Sequence, residues 1–334
     1  MASPHDLGPA DVAVVVPVGG QAPSWGRCAR SLARLDPGPA EIVVVIDGPN
    51  DTASSLAAGI GATAVQLEKR SGPAKARNLG VQTTEADLLL FIDSDIEVPK
   101  DLVAAVAAVF SAEPETSAVI GSYDESPGDP AFLSQYRNLL HHFVHQKGRE
   151  RASTFWAGCG AIRRRAFEEI GGFDEDYPVP SIEDIELGSR LLRSGHAIRL
   201  RKDLQVKHLK EWRLVDLLRT DLLRRAVPWT ELMQREGRMV NDLNVKTRDR
   251  LSVVLAFIPL LVLPAAWLWP KLWGVSVAAL VFIGFLNAGL LGFFLSRRGA
   301  LFTLRAIPMY WAYLLICGFG FALGFLRHRL GRST

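Results

Sequence analysis

Leu88-Leu89-Leu90-Phe91-Ile92-Asp93-Ser94-Asp95 is an unbroken apolar run that stops at two carboxylates one residue apart. With no polar residue at alternate positions, the run reads as a strand buried on both faces of a parallel sheet. Two earlier stretches have the same character: Val12 to Val16, closed by Pro17, and Glu41 to Ile46, closed by Asp47-Gly48-Pro49-Asn50-Asp51. Between these runs the spacing changes to a helical one. Cys28, Leu32 and Leu35 share a face within Ser24 to Leu35, a helix follows Asp51, a short strand lies near Ala64 to Leu67, and Ala74 to Thr83 forms another helix. Strand and helix alternating at this spacing predict an α/β fold, a Rossmann-like, mostly parallel open sheet flanked by helices. Such sheets bind ligands beyond the carboxyl ends of their strands, where Pro17, Asp47, Asp93 and Asp95 fall.

Downstream, Ser111 to Pro130 reads as loop around one strand, Ala118 to Ile120, and Phe132 to Gln146 as a helix. Its His141, His142 and His145 could ligate a metal or form a polar face. Arg163 to Ile170 and a segment starting near Ile182 are helical. The latter carries Leu187, Leu191 and Leu192 on one face and ends at Gly195, ahead of the strand-like Ile198-Arg199-Leu200.

The 334 residues are 49% hydrophobic, with 38 basic and 35 acidic side chains. Asp249 is the last acid. Beyond residue 250 only seven bases remain, Lys271, Arg297, Arg298, Arg305, Arg327, Arg329 and Arg332, so the earlier part of the chain is mildly acidic. This balance leaves no basic stripe for nucleic acid. Three apolar segments of about 20 residues, Leu251 to Trp269, Leu272 to Leu295 and Ile307 to Leu326, have the length of bilayer spans. Trp267, Trp269, Trp273, Tyr310, Trp311 and Tyr313 flank them as interfacial belts. Trp212 to Met233 alternates apolar residues with Arg213, Arg219, Arg224 and Arg225, in the manner of a helix lying in a membrane interface or covering a sheet. Lys246, Arg248, Arg250, Arg297 and Arg298 fall on one side of the membrane, the cytoplasmic one. Three full spans then put Arg327, Arg329 and Arg332 outside, against the same rule. An interfacial break at Arg305 and Pro308 would remove the conflict.

Met1 to Asp11 lacks the basic and apolar blocks of a secretory signal, which keeps the front domain cytoplasmic. Cys28, Cys159 and Cys317 are odd in number and far apart, which excludes a disulfide framework. Asp93 and Asp95 offer hard oxygen donors that suit Mg²⁺ or Mn²⁺ rather than zinc.

Six stretches in order now resemble the inverting nucleotide-sugar glycosyltransferases of family 2, built on the GT-A fold. They are Val16-Pro17-Val18, Ile46-Asp47-Gly48-Pro49-Asn50-Asp51, Gly72-Pro73-Ala74-Lys75-Ala76-Arg77-Asn78, Asp93-Ser94-Asp95, Gly171-Gly172-Phe173-Asp174-Glu175 and Glu183-Asp184-Ile185-Glu186-Leu187. The resemblance covers about Val12 to Trp229. It implies that Pro17 and Asp47 hold the nucleoside, with Asp47 facing the base. Lys75, Arg77 and Asp93 would lie toward the donor, and Asp95 would bind the metal with Asp93 beside it. His208 is a further candidate ligand. In the pair Glu183-Asp184 the second acid would be the general base. Trp156 could stack on a sugar ring. Ile46 and Pro49 depart from the paired acids and Ser that the family often carries there. Arg224, Arg225 and Trp229 resemble the basic-aromatic motif of processive polysaccharide synthases, with altered spacing and no leading Gln.

The expected protein is a membrane-anchored, Mg²⁺- or Mn²⁺-dependent glycosyltransferase. It comprises a GT-A domain over residues 1–210, an interfacial segment over 211–250, about three transmembrane helices over 251–326 and a basic tail over 327–334. The donor would be a nucleotide sugar, UDP-linked, and the acceptor a hydroxyl on a lipid-linked carrier or saccharide among membrane lipids. The rival readings are transfer to a polyprenyl phosphate and a non-catalytic nucleotide-binding membrane protein.

Overall fold

A computed structural model describes residues 7–20, 23–237, 242–243 and 245–331. Arg332 and the rest of the tail, with Met1 to Asp6 of the N-terminal segment, lie outside the described residues. The chain folds as two compact units, Met1–Pro130 with Gly148–Glu211, and Ala131–Lys147 with Trp212–Thr334. Residues 131–147, which lie inside the 1–210 range expected for the first domain, belong with the second unit.

The first unit contains strands β1 (Val12–Gly19), β2 (Glu41–Asp47), β3 (Thr63–Gln66), β4 (Leu88–Ile92), β5 (Ile96–Glu97), β6 (Thr116–Tyr123), β7 (Cys159–Arg163) and β8 (Ala197–His208). Its helices are α1 (Trp25–Leu32), α2 (Asp51–Gly59), α3 (Pro73–Gln82), α4 (Leu102–Ala112), α6 (Arg164–Glu169) and α7 (Glu183–Arg193); α5 (Phe132–Gln146) is part of the second unit. The sheet order is β3-β2-β1-β4-β7-β6-β8-β5. Pairs β1–β2, β1–β4, β2–β3 and β6–β8 are parallel, whereas β4–β7, β6–β7 and β5–β8 are antiparallel. The mostly parallel expectation therefore holds for the half built from β1 to β4. The other half is mixed, because β7 enters between β4 and β6 in the reverse direction.

The apolar runs are buried on both faces. Along β4, Leu88, Leu90 and Ile92 point into one core while Leu89 and Phe91 point into the other, where Phe155, Phe167 and Phe173 surround Phe91. Pro17 continues β1 beyond Val16 because the β1–β4 pairing ends at Val15, so its missing N–H leaves no ladder bond unmade there. Asn50 caps α2 by accepting from the Ala53 amide.

The second unit adds α8 (Leu214–Arg219), a π-helix over Thr220–Ala226, α9 (Val227–Glu236), α10 (Thr247–Ala266), α11 (Leu272–Leu286) and α12 (Ala288–Arg329) to α5. The basic amphipathic stretch is thus broken rather than one regular helix. Its wide π turn carries Asp221 inward, where the carboxylate meets buried Arg137 at 2.9 Å. The second expected span is also interrupted. The Asn287 amide donates to the Ile283 carbonyl and to Ser252 Oγ, and accepts from Tyr310, so the helix ends and restarts there. Within α12, Gly299 has φ +79° and breaks the helix a second time. Among the described residues α12 is long and apolar enough to cross a membrane by length and composition.

Candidate active site

The carboxyl ends of β1, β2 and β4 bring most of the sequence-selected residues to one region of the first unit. Arg77, in the first turns of α3, is buried at 4% exposure. Its Nη2 donates to Asp93 Oδ1 at 2.7 Å, its Nη1 to Glu183 Oε1 at 3.0 Å, and its guanidinium lies 5.2 Å from the centre of the Phe173 ring. Burial works against the guanidinium charge, but Asp93, Glu183 and Asp184 outweigh it and hold Arg77 firmly protonated. Arg77 is thus not a free cation pointing at a ligand. It is a strut that joins the Asp93-Ser94-Asp95 turn, the Gly171-Gly172-Phe173 turn and the start of α7.

Glu183 is held in the same network. Its Oε1 accepts from Arg77 and its Oε2 from the Ser181 amide at 2.8 Å, so both oxygens have partners within the protein. Lys75 does not join this cluster. It lies on the exposed face of α3, where its ammonium is 3.9 Å from Glu175. The Asp47 oxygens accept from the Ser71 amide at 2.6 Å and the Gly72 amide at 3.0 Å, which ties the end of β2 to the turn opening α3. Pro17 is buried in β1.

Asp184 differs from its neighbour. Its Oδ2 accepts from the Ala157 amide at 3.2 Å and its Oδ1 from the Ile185 amide at 2.8 Å, and the group is only partly buried. Burial, with the Glu183 charge beside it, pushes the Asp184 carboxyl up to about 7. A carboxylate in that range accepts and releases a proton near neutrality, as a general base must.

Asp95 sits on the other side of the strut. The end of β8 brings His208 Nε2 to 3.7 Å from Asp95 Oδ2, too far for a direct hydrogen bond and within reach of a single cation. Burial works to raise the Asp95 carboxyl, but His208 and Lys210 outweigh it and hold it below the ordinary value. Burial, together with the Asp95 charge, raises Asp93 despite its ion pair with Arg77. The oxygen and imidazole donors fit Mn²⁺ well and Mg²⁺ less well, since Mg²⁺ favours oxygen alone. Among the described residues no group of three or more His, Cys, Asp or Glu side chains closes a cation cage, including His141, His142 and His145.

Sequence reasoning missed Tyr123 and Asn78. Tyr123 ends β6 and stacks on His208 at 4.3 Å, with the half-buried Trp156 edge-on to it at 4.9 Å. An aromatic bridge thus runs from Trp156 to the candidate metal ligand, and nothing in the chain near Tyr123 signals it. Asn78 follows Arg77 directly, accepts from the Phe173 amide at 2.9 Å, and donates to the Phe173 carbonyl at 2.9 Å and to Glu175. Gly172, at φ +73°, makes that approach possible, because a Cβ there would fall 2.9 Å from the Asn78 amide oxygen.

Residues 13–171 match the model of glycosyl transferase family 2. That stretch is similar to a family 2 glycosyltransferase domain. Residues 137–212 also match a model described as the N-terminal domain of galactosyltransferase. The pre-mycofactocin glycosyltransferase of Mycobacterium tuberculosis is 27% identical over 217 residues, 60% of this chain and 44% of that protein. The validoxylamine A glucosyltransferase of Streptomyces hygroscopicus subsp. limoneus is 24% identical over 220 residues, 55% of this chain and 48% of that protein. The chain spans about half the length of these curated relatives. In fold it is similar to a mannosyltransferase from Pyrobaculum calidifontis, with a TM-score of 0.57 at 20% identity over 96% of this chain and 91% of the other. It is also similar to residues 1–349 of S. aureus TarS, with a TM-score of 0.51 at 18% identity over 96% and 91%. The GT-A fold and the glycosyltransferase class stand on these matches.

Removing the strut should be costly. Arg77→Met leaves Glu183 buried without its partner, and loss of one member of a buried ion pair costs about 3–5 kcal/mol. Adding Glu183→Gln to Arg77→Met should recover part of that loss, because no buried charge then stands alone. Urea titration of the purified chain in detergent measures both, and an unchanged midpoint for Arg77→Met would show that the cluster is not a structural ion triad.

Proposed function

We propose that this chain transfers a sugar from a nucleotide-sugar donor, with inversion, to a hydroxyl on a lipid-linked or saccharide acceptor at a membrane. The observation that carries this reading is the Arg77 strut. One guanidinium binds Asp93 and Glu183, so it sets the metal-side carboxylate Asp95, two residues on, against the base-side carboxylate Asp184, one residue on. Asp95 and His208 would hold Mn²⁺, with Asp93 behind them. A divalent ion there would supply positive charge against the departing diphosphate.

Asp184 takes the proton of the attacking hydroxyl, held in place by the Ala157 and Ile185 amides. Trp156, resting on Tyr123, offers an aromatic face on which a sugar ring can stack. The apolar helices of the second unit support a membrane location, and the basic residues flanking them favour the cytoplasmic side for the catalytic unit.

UDP-sugars are the first donors to test. The Pyrobaculum mannosyltransferase was solved with GDP-Man and Mn²⁺, so GDP-sugars belong in the same screen. Membranes containing the full chain are supplied with each donor, Mn²⁺ and a lipid extract, and release of UDP or GDP is followed. Release from one donor class, lost on chelation and restored by Mn²⁺, is the expected result. No release from any donor, with lipid or saccharide acceptors, overturns the reading.

A further inference from the structure

We propose that the last apolar helix, residues 300–329 of α12, does not cross the membrane but lies in its interfacial plane on the side of the catalytic unit. On this arrangement only the α10–α11 hairpin enters the bilayer. The inference rests on the membrane reading above and concerns the second unit alone.

Both ends of this helix touch segments that cannot lie across a bilayer from one another. Near its start, Phe302 packs edge-on to Phe132 of α5 at 5.2 Å, and the Arg305 guanidinium lies 4.2 Å from the centre of the same ring. The chain enters α5 from β6 and leaves it toward β7, and its 15 residues include Arg137, His141, His142 and His145. Such a segment stays on the side of the domain that supplies it. Near its end, Gly320 lies against Ala226, and Gly324 against the Val227 carbonyl and Thr230. That stretch comes before the first apolar helix in the chain. Arg224, Arg225, Glu231 and Arg235 surround it, so it too remains outside the hydrocarbon. A straight crossing helix cannot meet both elements at its two ends.

The middle of the helix agrees. Tyr310 donates to Asn287 at 2.9 Å, Trp311 donates to the Ala256 carbonyl at 3.0 Å, and Gly318 lies against Val253 and Phe257. These contacts reach α10 between Val253 and Phe257. The remaining turns of α10 run on to Ala266, and at about 1.5 Å per residue they project well past this level. A spanning partner would follow α10 along its length instead. One stripe of the helix, Ala306, Tyr310 and Leu314, is buried against protein, whereas Leu301, Leu304 and Ile307 are exposed and apolar. This suits a helix seated at the boundary of headgroups and acyl chains.

The occupant of the exposed hairpin is the lipid bilayer. Leu261, Trp267, Leu268, Trp269, Val281 and Phe285 stand exposed around it, with Trp residues gathered at the Pro270-Lys271 turn. At its base, Lys246, Arg248, Arg250, Arg297 and Arg298 complement anionic headgroups. A hairpin that enters and leaves by the same face also keeps Arg327 and Arg329 on that side. The conflict with the positive-inside rule that three spans create then disappears.

The test uses the full chain in cells, with Cys317→Ala as background, since Cys28 and Cys159 are buried. Gln82→Cys reports the catalytic unit and Leu330→Cys, at a position 68% exposed, reports the end of α12. A membrane-impermeant maleimide should leave both unlabelled in intact cells and label both after permeabilisation. Labelling of the Leu330→Cys variant in intact cells, with the Gln82→Cys variant protected, overturns the inference and leaves the membrane reading standing. Release of the chain by alkaline carbonate removes the membrane reading and this inference with it. An epitope appended after Thr334 and probed by antibody gives the same answer should Leu330→Cys fail to fold.

Discussion

Asp184→Asn should leave donor affinity intact and lower turnover by roughly 10²–10⁴-fold, the usual worth of a positioned base. The amide keeps the size of the carboxylate and can still accept from the Ala157 amide, but it cannot take a proton. The pH dependence has a definite sign. A base works only when ionised, and burial pushes Asp184 up to about 7, so wild-type activity should climb through neutrality as pH rises from 6 to 8. In the variant that rising limb should vanish. Steady-state rates over that interval, with donor binding measured separately, decide the matter. Collapse of donor binding would assign Asp184 to the nucleotide site. Undiminished turnover with a polyprenyl phosphate acceptor would mean that the nucleophile is already ionised, and the hydroxyl acceptor would fall.

Asp95→Ala should abolish metal-dependent donor binding while sparing the fold. Loss of an outer partner of a metal ligand commonly costs ~10–100-fold in affinity, and loss of a ligand itself costs more. The site keeps His208 and the Lys210 charge, and neither replaces a carboxylate that the imidazole and ammonium already hold ionised. Calorimetric titration of UDP and GDP in the presence and absence of Mn²⁺ reads the effect. If Mn²⁺ strengthens binding equally in the variant and the wild type, the ion sits elsewhere.

The parts of this molecule that were readable in the chain are those whose physics is local. β1, β2 and β4 are buried on both faces, so their burial is written as unbroken apolar runs. β7 was not readable as a strand, because Cys159-Gly160-Ala161-Ile162-Arg163 owes its extended form to β4 and β6 on either side. Asp184, Asp95 and His208 could be selected by residue type and position. The pairing of Glu183 could not, since its partner Arg77 lies 106 residues away and the burial of that pair is a tertiary fact. The same holds for α5. Its amphipathic pattern announces a buried face but not the neighbour, and that neighbour turned out to be the C-terminal helices. The apolar segments after residue 250 were visible as hydrophobic length. Where they break depended on the amide of Asn287 and the backbone of Gly299.

Asn78 grips the Phe173 backbone at both its amide and its carbonyl, much as a neighbouring strand would. The turn over residues 171–175 is thereby clamped to α3, whose opening turn is bound by Asp47. This has a consequence for engineering. Moved to another scaffold, that turn loses its clamp unless Asn78 and Arg77 travel with Phe173 as a matched set. The smallest transplantable cassette is therefore discontinuous, joining the first turns of α3 to a loop almost a hundred residues later.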